Sequence, residues 1–195
     1  MTKKISKKNP LNFKNTKPSG LSKTGNGKAE VVENFSQFLQ VFRRENASFI
    51  SKSVNKCKMA KYYLDTSIWL DLFESRNEPH LPKADYAEAF IEGVISKGET
   101  LIYSNAVKVE LEGQDYAWWE IDRFFEPLTK VLEYVEYTVK QFTKAKDLAA
   151  KRNLPLMDAL HAILARDCKA MLISRDTDFS ELKDIVKTEK PEDVN

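Results

Sequence analysis

From residue 62 onward, short apolar segments with strand character alternate with longer segments of helical periodicity, and this alternation limits how the chain can fold more than any other feature. It favours a parallel sheet that is covered by helices on both faces. We therefore predict an α/β fold of three layers, α/β/α, with a central, mostly parallel sheet. The predicted strands are 62–64, 100–103, 131–135, 171–174 and a last edge strand near 185–186. The predicted helices are 85–97, 106–112, 116–125, 139–151 and 156–167.

The chain divides into a basic amino-terminal part and an acidic remainder. Residues 1–61 hold 14 Lys or Arg against 3 acids, a net charge of +11, whereas residues 62–195 hold 17 against 26, a net charge of −9. Residues 1–29 have almost no large apolar side chains and are predicted to be a disordered basic tail. Residues 30–58 are predicted to form an amphipathic helix and a linker, and residues 59–195 a single folded domain. A basic extension of this kind can bind nucleic-acid phosphates or simply keep a tail soluble, and both alternatives stay open.

Composition excludes several other classes of protein. A run of about 18 apolar residues, the length that a membrane-spanning helix needs, occurs nowhere, and no apolar run of signal-peptide length follows the amino-terminal lysines. Cys57 and Cys168 fit neither a metal-binding spacing nor a disulfide framework. We therefore expect a cytoplasmic protein that is neither secreted nor inserted in a membrane.

Two carboxylates follow predicted strands, and two more lie on predicted helices. Asp65 directly follows the first strand, and Asp176 comes two residues after the fourth. Because ligands bind at the carboxyl ends of the strands in an open parallel sheet, both side chains are predicted to face one edge. Glu110 lies on the helix after the second strand, and Asp158 lies in the first turn of its helix, where the helix dipole favours a negative charge. We therefore expect these four acids to converge.

Convergence of four carboxylates requires a cation among them. Like charges about 4 Å apart cost roughly 1 to 4 kcal/mol per pair at effective dielectric constants between those of water and of a protein surface. Hard oxygen ligands without His or Cys neighbours select Mg²⁺ or Mn²⁺ rather than zinc. Such ions can activate a water for attack on a phosphodiester and can stabilise the departing oxygen. The sequence therefore predicts metal-dependent phosphodiester hydrolysis.

The segments that carry the four acids also follow one another in a familiar order. They read "YYLDTSIWLDLF", "YSNAVKVELEG", "LPLMDALHAILA" and "LISRDTDF". In this order and at these separations they resemble the four acidic motifs of PIN-domain nucleases, with the VapC-type ribonuclease toxins and related stand-alone PIN proteins as the nearest subgroup. The resemblance covers residues 60 to about 187, and it implies a PIN-like domain within residues 59–195.

The resemblance implies roles for individual residues of a Mg²⁺- or Mn²⁺-dependent endoribonuclease. Ser67 matches the hydroxyl residue that supports the first acid or a metal-bound water in the family, and Asp178 is expected to assist from just outside the metal ligands. Glu112 competes with Glu110 for the second position, but Glu110 and the Leu that follows it match the family's Glu-Leu pattern better. The implied metal ligands and catalytic residues are Asp65, Glu110, Asp158 and Asp176.

Other residues admit two interpretations. Arg175 can bind a substrate phosphate or pair with an acid, and we assign it to substrate binding. His161 is expected to pack or to orient a neighbour rather than to act in catalysis. An aromatic group is predicted to lie in the core or at a dimer contact, rather than to stack on single-stranded RNA. This group consists of Trp118, Trp119, Phe124 and Phe125.

The resemblance also implies partners. RNA is the expected substrate, and an antitoxin protein and a second copy in a homodimer are the expected protein partners. The predicted helix within residues 30–58 can pack across the domain, extend a dimer or cover the cleft in cis, as an antitoxin does in trans. The alternative function is a non-catalytic RNA-binding or complex-forming module that keeps the PIN fold.

Overall fold

The computed structural model describes residues 59–129 and 131–194, so the predictions for residues 1–58 lie outside the described residues. The strands are β1 (Lys61–Leu64), β2 (Thr100–Ser104), β3 (Leu132–Val135), β4 (Met171–Ile173) and β5 (Thr188–Glu189). The α-helices of this part are α1 (Thr66–Phe73), α2 (Lys83–Lys97), α3 (Asn105–Gly113), α4 (Trp118–Phe125), α5 (Val139–Arg152) and α6 (Leu156–Asp167). Short 3₁₀ turns are Glu126–Leu128, Thr177–Leu182 and Pro191–Asp193.

The five strands form one parallel sheet in the order β3-β2-β1-β4-β5. From the central strand β1 the chain proceeds outward through β2 to β3, and it then returns to place β4 on the other side of β1. In a parallel sheet, such a reversal of direction opens a crevice at the carboxyl ends of the two strands that flank it. The predicted parallel α/β fold is therefore confirmed, and its crevice lies between β1 and β4.

Helices cover both faces of the sheet, and the side chains of β1 alternate between the two cores. Tyr62 and Leu64 pack into one hydrophobic cluster, whereas Tyr63 packs into the other, as expected because alternate residues of a strand point to opposite faces. The first cluster draws on α1, α2 and α4, and the second on α5 and α6. The architecture is the predicted three-layer one. None of the helices within the described residues is long and apolar enough to span a membrane.

The helix boundaries agree with the capping residues in the sequence. The Thr138 Oγ1 accepts a hydrogen bond from the Gln141 backbone N at 3.2 Å, and the Gln141 Oε1 accepts one from the Thr138 N at 2.9 Å, which closes a capping box at the start of α5. Helix α6 starts directly after Pro155. Gly98, with φ of 69°, ends α2 in the left-handed conformation that glycine adopts without strain.

Among the α-helices of the described residues, α1 is the one that the sequence pattern did not predict. It begins directly after β1, and the Asp65 between them is its N-cap. Nearly all of its side chains are buried, including Ile68, Trp69 and Leu70. A helix that is buried on all sides shows no alternation of apolar and polar residues, so its sequence resembles the continuation of a buried strand.

The predicted last edge strand is present, but it does not lie at residues 185–186. Val186 is buried and packs, with Ile185, into the core cluster under α5 and α6. The edge strand β5 follows these residues, at Thr188–Glu189, where it pairs with β4. The apolar character of 185–186 therefore reflects core packing at the end of a 3₁₀ turn rather than a sheet edge.

The aromatic group on α4 divides between the core and the surface. Phe124 and Phe125 are buried, and the Phe124 ring stacks on Phe73 with 3.9 Å between the centroids and 7° between the ring planes. Trp118 and Trp119 are 70% and 52% exposed. The core placement is therefore confirmed for the two phenylalanines and wrong for the two tryptophans, whose role at a dimer contact stays a prediction.

The substitution Phe124→Ala is expected to lower the free energy of unfolding by about 3–5 kcal/mol, because it leaves a cavity against the Phe73 ring. The control is Trp118→Ala on the same helix, which removes a largely exposed ring and is expected to change stability by about 0.5 kcal/mol or less. Urea denaturation of both variants measures the difference. Equal losses in the two variants would contradict this assignment of the core.

Candidate active site

A cleft of about 400 Å³ lies beyond the ends of β1 and β4. It gathers all four acids that the sequence singled out, although they come from four separate segments of the chain. The neutral and basic part of the lining includes Thr66, Ser67, Arg76 and Gln114. The acids that line the cleft are Asp65, Glu110, Asp158 and Asp176.

Asp65 is held from two directions at the end of β1. Its backbone N donates to the Ile173 carbonyl at 3.0 Å, which ties it to the neighbouring strand β4. Its Oδ2 accepts hydrogen bonds from the Ser67 Oγ at 2.5 Å and from the Ser174 Oγ at 3.0 Å. The Asp65 residue is 7% exposed. The structure therefore places Ser67 in contact with the first acid, as the sequence motif implied.

Glu110 projects from α3 and receives two donors on one oxygen. The Thr66 Oγ1 donates to its Oε2 at 2.5 Å, and the His161 Nε2 lies 2.7 Å from the same oxygen. Burial pushes the pKa of Glu110 upward, but the hydrogen bonds and the charge of His161, together with the Thr66 bond, outweigh it and leave the pKa below its usual value. Glu112 is exposed and does not line the cleft, so the structure brings Glu110 and not Glu112 to the site.

Asp158, Asp176 and Asp178 form the other side of the acidic cluster. Each offers a carboxylate oxygen, and these oxygens lie within 4.8 Å of one another. The backbone N of Asp178 donates to the Asp176 Oδ1 at 2.9 Å. Burial, followed by the charges of Asp176 and Asp65, raises the pKa of Asp158 to about 7. This carboxyl group therefore resists ionisation when no cation is nearby.

The oxygens that remain suit a hard divalent cation. In Asp65, Glu110 and Asp176, hydrogen bonds engage one carboxylate oxygen, and the other accepts no hydrogen bond from any residue that the structure describes. Free carboxylate oxygens at close range are the ligands that Mg²⁺ and Mn²⁺ prefer. The carboxylates present therefore fit such an ion. Two groups have possible ligand atoms within 4.8 Å of one another: Asp65, Glu110 and the buried His161, and Asp158, Asp176 and Asp178. An imidazole thus lies beside the first two acids, which the sequence had not indicated.

Ser174 connects two of the acids, and sequence reasoning missed it. Its Oγ donates to Asp65 Oδ2 and accepts from the Asp176 backbone N at 3.0 Å. The side chain is buried, with the residue 2% exposed. Ser174 stands two residues before Asp176 in the sequence, but a hydroxyl residue near an acid is common in any turn and therefore gave no specific indication.

His161 is fully buried behind the cleft, with a relative exposure of 0%. Its Nε2 faces Glu110 and lies 3.7 Å from Asp65 Oδ1, and its Nδ1 lies 2.8 Å from the Tyr63 Oη. Burial lowers the pKa of His161, but the bond to Glu110 and the charges of nearby acids more than offset it and raise the pKa above its usual value. The expectation that His161 orients a neighbour agrees with these contacts.

Arg175 pairs with two acids in the structure, which favours the second of its two interpretations from sequence over the assignment to substrate binding. Its Nε donates to the Asp71 Oδ2 at 3.0 Å, and one terminal nitrogen donates to both Glu192 oxygens at 2.5 and 2.7 Å. The side chain is 12% exposed. This ion pair ties the turn Pro191–Asp193 to helix α1. Among the described residues, the basic side chain that lines the cleft is Arg76.

Comparison with known proteins identifies a domain family for this chain. Residues 62–185 match the family model of the PIN domain, and no curated protein matches the chain. Among solved structures it is similar to VapBC2 from Rickettsia felis bound to a DNA fragment from their promoter (18% identity, TM-score 0.49, 67% of this chain and 98% of that chain). It is also similar to FitAcB from Neisseria gonorrhoeae (16% identity, TM-score 0.47, 68% of this chain and 99% of that chain). Because the family model spans more than half of its 195 residues, the chain belongs to the PIN domain family.

Proposed function

We infer that this chain is a Mg²⁺- or Mn²⁺-dependent endoribonuclease that hydrolyses phosphodiester bonds in RNA. The observation that carries the proposal is the gathering of four carboxylates from distant segments in one cleft. Nuclease activity is typical of PIN domains, and the donor set is the one that phosphodiester hydrolysis with hard divalent ions requires. RNA as the substrate follows from the resemblance of the four motifs to ribonuclease toxins.

The residues that would hold the ions are Asp65, Glu110, Asp158 and Asp176, with Asp178 beside them. A divalent ion bound there would supply an activated water and would neutralise negative charge on the phosphate. The protein's own task is to keep the carboxylates in place before substrate arrives. In Asp65, Glu110 and Asp176 the donors among the described residues act on one carboxylate oxygen, which leaves the other for a ligand.

The cleft also has a cationic side chain for the substrate backbone. Arg76 lines the cleft, and its side chain is 39% exposed although it pairs with Glu74 at 2.8 Å. A guanidinium in this position can exchange a carboxylate partner for a phosphate of similar geometry. We therefore assign the phosphate contact to Arg76 rather than to Arg175.

The substitutions Asp65→Asn and Glu110→Gln are each expected to reduce Mn²⁺-dependent cleavage of labelled RNA by more than about 100-fold. Residues that only orient a metal ligand change activity by up to about 100-fold when substituted, and a ligand itself should matter more. An amide keeps an acceptor for the neighbouring hydroxyls but replaces a ligand oxygen with a donor and removes the charge. Glu112→Gln is the matched control, because Glu112 is exposed on the same helix as Glu110. It should cleave as the unsubstituted chain does.

Full activity of Asp65→Asn in the presence of a chelator would contradict the proposal, and so would the absence of any Mn²⁺-dependent cleavage by the unsubstituted chain. Parallel assays with RNA and single-stranded DNA of one sequence test the substrate class. Preferential cleavage of the DNA would overturn the assignment to RNA.

Divalent ions are expected to raise the melting temperature more at pH 8 than at pH 5.5. An acid whose pKa rises on folding holds its proton more tightly in the folded state than in the unfolded state. For Asp158 the pKa rises from the usual 3.8 to about 7. The metal-free protein therefore loses stability as the pH rises between these two values. An ion restores that loss by taking the place of the proton. Asp158→Asn should flatten both the pH dependence and the effect of Mn²⁺, measured by thermal unfolding with and without the ion. Equal Mn²⁺ effects at the two pH values would contradict this account.

The proposal extends to the toxin of a VapBC-type pair, with an antitoxin as its protein partner, and the likeness of the four motifs to VapC-type toxins supports it. Expression of the chain in a bacterial host is expected to arrest growth, while Asp65→Asn expressed to the same level is not. Growth that is equal in both cultures, with cleavage by the purified chain intact, would remove the toxin function and leave the ribonuclease.

A further inference from the structure

We propose that His161 is a positioning residue, which holds Glu110 in place for the ion while Tyr63 and Ser104 hold the imidazole ring from behind. The proposal rests on the ribonuclease function inferred above, and it concerns how one ligand of that site is prepared. His161 is not among the residues that line the cleft, and its side chain is 0% exposed.

A chain of hydrogen bonds leads from the start of α3 to the cleft. The Ser104 Oγ accepts from the Ala106 backbone N at 3.1 Å and lies 2.6 Å from the Tyr63 Oη. The Tyr63 Oη lies 2.8 Å from His161 Nδ1, and His161 Nε2 lies 2.7 Å from Glu110 Oε2. Tyr63, Ser104 and His161 are each 0% exposed. Three polar side chains therefore lie in series in the buried core, behind one carboxylate.

The direction of the protons follows from what each group can do. A carboxylate only accepts, so the Nε2 of His161 carries the proton that faces Glu110. With Nδ1 as the acceptor, the Tyr63 hydroxyl donates to it and the Ser104 hydroxyl donates to Tyr63, while the Ala106 amide satisfies Ser104. Every donor then points toward Glu110. A doubly protonated ring would reverse the Tyr63 and Ser104 bonds, but its Nε2–H would still donate to Glu110, with a charge that strengthens the bond.

Packing alone does not account for this arrangement. A buried imidazole and two buried hydroxyls cost free energy unless each is hydrogen-bonded, and an apolar residue would fill the same space without that cost. Glu110 itself has only one other donor among the described residues, the Thr66 hydroxyl, and its side chain is 27% exposed. The imidazole therefore supplies the buried half of the contacts that orient this ligand.

The test compares His161→Gln with His161→Met in the full chain. Gln places an amide donor near the position of Nε2, whereas Met has a similar length and no donor. We expect His161→Met to weaken Mn²⁺ binding and to lower the cleavage rate by about 10- to 100-fold, the range for groups that orient metal ligands. His161→Gln should recover most of both losses. Mn²⁺ binding is followed by electron paramagnetic resonance, without RNA, so that it reports on the site independently of cleavage.

Tyr63→Phe is a second variant that removes one hydroxyl and keeps the ring in the core. It frees Nδ1 from its donor, so it should weaken Mn²⁺ binding in the same direction as His161→Met but by a smaller factor. Circular dichroism and thermal unfolding show whether each variant is folded. Where His161→Met fails to fold, His161→Gln and Tyr63→Phe decide the question.

Three results would overturn the proposal. The first is an unchanged Mn²⁺ affinity of the folded His161→Met variant. If that variant does not fold, an unchanged affinity of the folded Tyr63→Phe variant has the same meaning. The second is equal loss in the Gln and Met variants, which indicates a structural role. The third is coupling of the bound Mn²⁺ to an imidazole nitrogen, which would make His161 a direct ligand. If the unsubstituted chain neither binds Mn²⁺ nor cleaves RNA, the proposed ribonuclease function is overturned as well. If the unsubstituted chain does both, a negative result in the variants overturns only the positioning role of His161.

Discussion

Repulsion among carboxylates that are forced together at one edge of the sheet is the constraint on which the rest of this structure depends. Burial raises the pKa of Asp158, and the repulsion from Asp176 and Asp65 raises it further, to about 7. Hydrogen bonds to Asp65 and Glu110 relieve part of the repulsion, but each relieves only one oxygen. Within the described residues the second oxygen of each of these two acids accepts no hydrogen bond. Negative charge left on such oxygens is the condition under which a divalent cation would bind and stabilise the fold at the same time.

The sheet topology explains why these acids meet at all. Strands β1 and β4 are neighbours although most of the domain separates them in sequence, and the Asp65 amide extends their pairing by donating to the Ile173 carbonyl. Ser174 then bonds to the first acid and to the backbone of the last. The same register that builds the hydrophobic cores thus sets the distance between Asp65 and Asp176. Catalytic groups placed on strand ends gain the rigidity of the sheet, which is what precise positioning requires.

The parts of the fold that followed from sequence were those with a periodic pattern. Helices α2 and α5 have one buried and one exposed side, and their predicted bounds agree with the structure to within two residues. Helix α6 was also predicted at its bounds, although residues 159–165 are all buried, because Pro155 marks its start. Helix α1 gave no such pattern because it is buried nearly all round, and β5 gave none because two residues are too few to show an alternation. The burial predicted for the two tryptophans of α4 was wrong for another reason. Aromatic residues are buried on average, but their type does not indicate which face of a short helix packs against the core.

The sequence by itself determined the four acids, their order and the strand or helix on which each is carried, because short-range pattern and motif spacing encode these features. The tertiary structure decided their partners. The hydrogen-bonded residues are far apart in sequence: 109 residues separate Ser174 from Asp65, 98 separate Tyr63 from His161, and 104 separate Arg175 from Asp71. A hydroxyl, an imidazole or a guanidinium can bond to many groups, and only the packing of the sheet against its helices selects which one comes within 3 Å. For that reason the four acids of the cleft could be named from the chain alone, whereas the groups that hold them in place could not.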